Sequence, residues 1–179
     1  ADKVPALVSI GSYADAVAVA TSARDADLMF YALMEFEKAC ASSSTGDSAT
    51  KGQSNFLNTV VSKFTPESFH LLEAYYSSHP DVKHVMNLLL RAQKYTDAGS
   101  TMALRALEKN RSSERNPMLK EASRIFGLGK ETIFQKTCTD DYLELLSDQE
   151  LLRTKYGSSD VAPESSSVTS TIFSMIKYA

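Results

Sequence analysis

The stretch TPESFHLLEAYYSSHPDVKHVMNLLLRA, residues 65–92, spells out two helices and the break between them. Thr65 is positioned to cap the first, and Pro66 suits its first turn, where a missing N–H costs nothing. Phe69, Leu72 and Tyr76 mark one face at spacings of three and four. Ser77, Ser78 and His79 end that helix, and Pro80 is expected to reopen the chain as a second first-turn proline. Val82, Val85, Met86 and Leu89 then fall at i, i+3, i+4 and i+7, with Leu88 and Leu90 widening the stripe. A hairpin that is apolar on more than one side cannot bury itself. It needs helices stacked before and after it, as in an α-solenoid.

Strand signals are poor. β-branched residues seldom alternate with polar ones, no Asn-Gly or Asp-Gly turn occurs, and only 7 glycines and 5 prolines punctuate the 179 residues. The fold class is therefore all-α, a single solenoid of stacked antiparallel helical hairpins over residues 1–179, with 43% hydrophobic residues to fill its core. A net charge of −3 gives no overall pull toward nucleic acid or anionic lipid. Cys40 and Cys138 lie far apart beside helical patterns and read as thiols in a reducing compartment. No charged-then-apolar leader and no run of about eighteen apolar residues suggests a signal peptide or membrane span. The chain opens on Ala1-Asp2 rather than Met, which reads as an excised piece.

In chain order, residues 3–10 form a short apolar piece (Val4, Leu7, Val8) ended by Gly11, with Ser12 positioned to cap an alanine-rich helix over 13–23. Small side chains there let neighbouring backbones come close. Asp25 is expected to cap a third helix whose stripe runs through Met29, Ala32, Leu33, Phe36 and Cys40. Residues 42–53, SSSTGDSATKGQ, cannot offset the entropy of ordering and read as a flexible loop. A helix resumes over 55–64. Beyond the hairpin, residues 95–99 read as a loop or frayed turn, with Ser100 capping 102–108. Residues 112–126 form one helix, so Pro117 is expected in its first turns, and Gly127 and Gly129 are expected to weaken and kink the helix after Phe126. Thr137 and Thr139 read as caps of a last long helix to about residue 156, with Tyr142, Leu145, Leu146, Gln149 and Leu152 on one side and Gly157 as its stop. A linker over 157–167 precedes a final amphipathic helix sketched by Val168, Ile172, Met175 and Ile176.

Chemistry motifs are few. His70, His79 and His84 show no i, i+4 pairing, no HExxH and no accompanying CxxC, so each reads as a polar helix residue and no cofactor is implied. Asp140, Asp141 and Glu144 read as a solvated turn at a helix N-terminus, where carboxylates answer the helix dipole, rather than as acid and base groups of an enzyme. No phosphate-binding glycine loop or nucleophile elbow occurs. The segment 105–124 is locally basic, setting Arg105, Lys109, Arg111, Arg115, Lys120 and Arg124 against Glu108, Glu114 and Glu121. Its plain reading is a solvated face of mixed charge. It lacks interleaved aromatics, so nucleic acid is not the expected partner, and a protein with an acidic surface is.

Three stretches resemble the C-terminal α-solenoid of the vacuolar protein sorting-associated protein 16 family, core subunits of the HOPS and CORVET endolysosomal tethering complexes. They are KVPALVSIGSYADAVAVATSARDADLMFYALMEF, FLNTVVSKFTPESFHLLEAYYSSHPDVKHVMNLL, and the order NPMLKEASRIFGL…TDDYLELLSDQELLRTKYG between Arg115 and Gly157. The likeness lies in the order and spacing of many weak features over nearly the whole chain outside 42–53. It implies a non-enzymatic platform that docks the SM-family subunit, vacuolar protein sorting-associated protein 33, which templates SNARE assembly, alongside the other HOPS and CORVET core subunits. It implies a cytoplasmic location on late endosomes, lysosomes or vacuoles, with membrane contact only through the complex. By position, the partner contacts it implies are Ser68, His70 and Leu71 on the first helix of the hairpin, and Arg105, Glu108, Arg111 and Arg115 in the basic segment. Gly127 and Gly129 stand where the family has an unbroken helix, and the long Ser-rich loop marks a divergent member. A generic helical-repeat scaffold of coat or cargo-sorting machinery is the alternative.

Overall fold

The computed structural model describes residues 3–42, 49–79 and 81–156, together with Ser170, Ile172, Phe173, Ile176 and Lys177. Among the described residues there is no strand, and nine helices succeed one another: α1 (Lys3–Ser9), α2 (Tyr13–Ser22), α3 (Ala26–Ser42), α4 (Ala49–Lys63), α5 (Pro66–Ser77), α6 (Lys83–Arg91), α7 (Tyr95–Leu107), α8 (Ser112–Phe126) and α9 (Ile133–Tyr156). The protein is all-α. It divides into two compact units, Ala1–Ala92 and Gln93–Ala179.

In the first unit each helix meets its successor, and α1 also meets α3, α3 meets α5, and α4 meets α6. Fully buried Ala16, Ala20 and Ala32 allow the close approach of α2 and α3 that their small side chains suggest, while Leu33, Phe56, Leu72 and Leu88 fill the interior. The turns are short because two helices end in the same way. The amide of Gly11 (φ 78°) donates to Val8 O and that of Ser12 to Leu7 O; Arg24 (φ 53°) and Asp25 repeat the pattern onto Thr21 O and Ala20 O. These paired bonds satisfy carbonyls that a helix end leaves open. Asp25 caps α3 as expected, its Oδ1 accepting the Leu28 amide at 3.0 Å. Ser12 and Thr65 occupy the N-cap positions of α2 and α5 without a side-chain capping bond.

Helix α4 begins at Ala49, so residues 49–53 of the expected loop are helical. Tertiary partners supply what the local sequence lacks. Gln53 Nε2 lies 2.7 Å from His84 Nδ1, and Arg91 donates to Ser54 Oγ (3.0 Å) and Asn58 Oδ1 (2.9 Å), tying α4 to α6. The rest of that loop, 43–48, and Pro80 lie outside the described residues.

The second unit departs further from expectation. Residues 95–99 are the opening turns of α7, so Ser100 lies inside the helix and caps nothing. Ala98 and Gly99 are buried there, and the ring of Phe126 rests on the Gly99 backbone: a Cβ at that position would stand 2.7 Å from Phe126 Cζ, with Cδ1 and Cε1 closer still. Pro117 is the sixth residue of α8, in its second turn, and removes one backbone bond from an exposed face. α8 ends at Phe126, and Gly127 and Gly129 form a turn instead of a kink. Gly129 is buried, and a Cβ added there would meet Thr132 Oγ1 and the Tyr95 ring. Buried Thr132 directs its hydroxyl toward the carbonyls of Gly129 (3.0 Å) and Phe126. α9 therefore starts at Ile133, and Thr137 and Thr139, expected as caps, lie within it and donate back to Ile133 O and Gln135 O. Ala106, Leu119 and Leu146 join α7, α8 and α9 in one core, with Met118, Tyr142 and Leu143 packed against it. Ser170, Ile172, Phe173, Ile176 and Lys177 are helical and exposed; the expected stop at Gly157, the linker 157–167, and Val168 and Met175 lie outside the described residues.

Helix propensity alone makes Gly99→Ala stabilising by about 1 kcal/mol. The buried Phe126 ring reverses the sign, so chemical denaturation should show the variant less stable by roughly 1–3 kcal/mol. Equal or greater stability would mean that the Gly99–Phe126 contact is not tight.

Candidate protein-docking surfaces

In the first unit, α5 carries the expected contacts Ser68, His70 and Leu71. Thr65, in extended conformation, turns its hydroxyl away from capping and toward Ser68 Oγ (3.1 Å) and Thr21 Oγ1 of α2 (3.4 Å). Ser68 is 0% exposed and donates to Met29 Sδ of α3 at 3.6 Å. This corrects the expectation of a partner-facing residue: Ser68 is a small polar filler where α5 crosses α3, and nothing outside the unit can reach it. His70 is exposed beside Glu73, with Nδ1 and Oε2 3.3 Å apart, and Leu71 is half-buried.

One polar string runs through this unit. Tyr76 of α5, 3% exposed, donates its hydroxyl to Glu37 Oε1 of α3 at 2.8 Å. Burial pushes the Tyr76 phenol far above its ordinary pKa, and the Glu37 carboxylate adds to the shift. Its ring stacks on His84 of α6 (centroids 5.4 Å, 27°), which reaches Gln53 of α4. Four helices are thus joined by groups that the sequence shows only as scattered polar positions.

The second unit holds the basic segment. Arg105 Nη1 bonds Glu108 Oε2 at 3.4 Å, and Arg124 is bidentate to Glu121. Arg111 is the exposed N-cap residue of α8, its carbonyl accepting the amides of Glu114 and Arg115. Arg115 is half-buried, with a buried Nε that has no hydrogen-bond partner among the described residues. Lys109, Arg111, Arg115 and Lys120 make no ion pair among the described residues, so pairing within the hairpin leaves the surface basic. Of the expected contacts in this unit, Arg111 and Glu108 are exposed, and Arg105 and Arg115 are half-buried.

Asp140, Asp141 and Glu144 lie inside α9, not at a helix N-terminus, which corrects the dipole reading. Asp140 accepts from Lys136 Nζ and from Ser123 Oγ of α8, both at 2.5 Å, and these bonds hold its carboxyl below its usual pKa, Lys136 most strongly. Asp140 is thereby a tie between α8 and α9. Among the described residues, no three His, Cys, Asp or Glu side chains are grouped to hold a metal, and no helix is long and apolar enough to cross a membrane. Cys40 is half-buried, which raises its thiol pKa; Cys138 is exposed; neither is in a disulfide. Comparison with protein families, with curated proteins and with solved structures finds no match.

Ser68→Asp should act on folding. An unpaired charge at that fully buried position costs about 4 kcal/mol, read as a lowered unfolding midpoint; a variant as stable as the parent would put Ser68 back on the surface. The Asp140 tie has a definite pH sign. Because its folded pKa lies below the unfolded one, its contribution is present above the carboxylate range and lost as pH falls through the folded value. The parent's advantage over Asp140→Asn should therefore be full at about pH 6 and vanish once pH has fallen below the folded value. A difference that does not change with pH would show that the ionised carboxylate is not what binds α8.

Proposed function

We propose that this chain is a non-enzymatic docking segment of the helical C-terminal region of the vacuolar protein sorting-associated protein 16 family. In this reading its helices continue an α-solenoid, and the surface of α7 and α8 receives the SM-family subunit, coupling tethering by HOPS or CORVET to membrane fusion on late endosomes, lysosomes or vacuoles. The order of weak motifs over nearly the whole chain supports the family. Contacts of α1 with α3, α3 with α5 and α4 with α6 support stacking of hairpins, since in a repeat array each helix meets both its successor and the helix beyond. The observation that carries the docking surface is the unpaired set Lys109, Arg111, Arg115 and Lys120 in a chain whose net charge is −3. Arginine at such a surface is a frequent source of binding energy, and rim charges steer an acidic partner. Ser68 has no part in this surface.

Charge reversal provides the test. Arg111→Glu is exposed and should leave helicity by circular dichroism unchanged while reducing co-purification with the SM-family subunit at least tenfold; Arg115→Glu should do the same with some loss of stability from its buried Nε. Undiminished co-purification of both variants removes α7 and α8 as the docking surface. If the unaltered chain captures no SM-family protein at all, the generic scaffold reading replaces this one.

A further inference from the structure

Exposed hydroxyls along these helices are mostly spent on their own backbone: Ser22, Thr59, Ser62, Thr137 and Thr154 each donate to the carbonyl four residues earlier. Ser113 does not. It is the second residue of α8, where no helical carbonyl lies behind it, and its exposed hydroxyl has no hydrogen-bond partner among the described residues. It also stands in a basic setting. Arg111 lies two residues before it, Arg115 two residues after it and Lys109 four before, and none of the three makes an ion pair among the described residues. Neighbouring Ser112 is half-buried, whereas residues 108–111 are all exposed and Arg111 is already extended (φ −89°, ψ 130°). Laying Ser113 out in extended form therefore takes only the opening of one exposed turn, closed by the Glu114 and Arg115 amides on Arg111 O.

We propose that Ser113 is a phosphorylation site for a kinase whose substrate cleft is acidic, and that the phosphate closes the docking surface of α7 and α8. Kinases choose substrates by charge pattern, and a serine with arginine on both sides complements such a cleft. Ser113 Oγ attacks the γ-phosphorus of ATP, and the bond from that phosphorus to the β,γ-bridging oxygen breaks. ADP leaves with the electron pair, and the hydroxyl proton passes to the kinase's catalytic aspartate. The product carries about two negative charges at neutral pH. Between Lys109 and Arg115 three cations face one acid, Glu114, so one phosphate cancels the positive charge that draws an acidic partner. The first turn of a helix tolerates negative charge, so α8 stays folded. The modification itself needs no docked partner; its effect on docking rests on the function proposed above.

The full chain, incubated with magnesium ATP and the catalytic domain of a basophilic serine kinase and then mapped by tandem mass spectrometry, tests the site. Ser113 should be the principal position, and either Ser113→Ala or the pair Arg111→Gln and Arg115→Gln should cut incorporation about tenfold. No incorporation, or a principal position elsewhere, overturns the assignment. The phosphorylated parent should capture the SM-family subunit about tenfold more weakly than the unmodified parent with circular dichroism unchanged, while kinase-treated Ser113→Ala captures it undiminished. Equal capture by phosphorylated and unmodified parent overturns the switch. An unmodified parent that captures none defeats the docking reading and the switch with it, whereas the mapped phosphate does not depend on that result.

Discussion

Phe36 sits where three segments of the first unit converge. From α3 its ring meets Tyr13 of α2 at 5.1 Å, Phe56 of α4 at 5.4 Å and Phe64 just beyond α4 at 5.7 Å. Aromatic pairs in tilted arrangements contribute about 0.5–1.5 kcal/mol each beyond the area they bury. The same helix holds the hairpin made by α5 and α6: Met29 accepts from Ser68, Phe30 lies edge-on to Tyr75, and Glu37 receives Tyr76. α3 is therefore the support against which α5 buries a flank that α6 cannot cover. The apolar excess of residues 65–92 becomes a requirement for a third and a fourth helix.

Buried polar bonds add specificity to this packing. A phenol that donates to a carboxylate in a nearly closed site is a charge-assisted bond of about 1.5–3 kcal/mol, and loss of either partner leaves the other desolvated. Because Tyr76 also stacks on His84, and His84 reaches Gln53, a slip of α5 along α3 breaks contacts to α4 and α6 as well. In the second unit the tie from Asp140 to Ser123 and the Thr132 hydroxyl fix α9 on α8 in a comparable way.

Helices whose apolar spacing coincides with a local start signal are legible in one dimension: α3 behind Asp25, and α5 behind Thr65 and Pro66. Helix starts that depend on distant partners are not. The first turns of α4 rely on His84 and Arg91, and those of α7 contain Gly99, which reads as a breaker but serves as the seat of Phe126. Thr137 and Thr139 resemble caps because a hydroxyl can serve a helix end or a helix interior, and only the Thr132 turn decides which. Among candidate contacts, the basic character of 105–124 is visible in composition. The burial of Ser68 is not, since its partner is a thioether 39 residues away.

The central claim, that the hairpin of α5 and α6 depends on α3, is met most directly by native-state amide hydrogen exchange across the first unit. Amides around Leu33 in α3 and Leu72 in α5 should exchange last and with one common opening free energy, because neither helix stays folded without the other. Protection of α5 and α6 persisting after α3 has exchanged would show a hairpin that stands alone, and would contradict the claim.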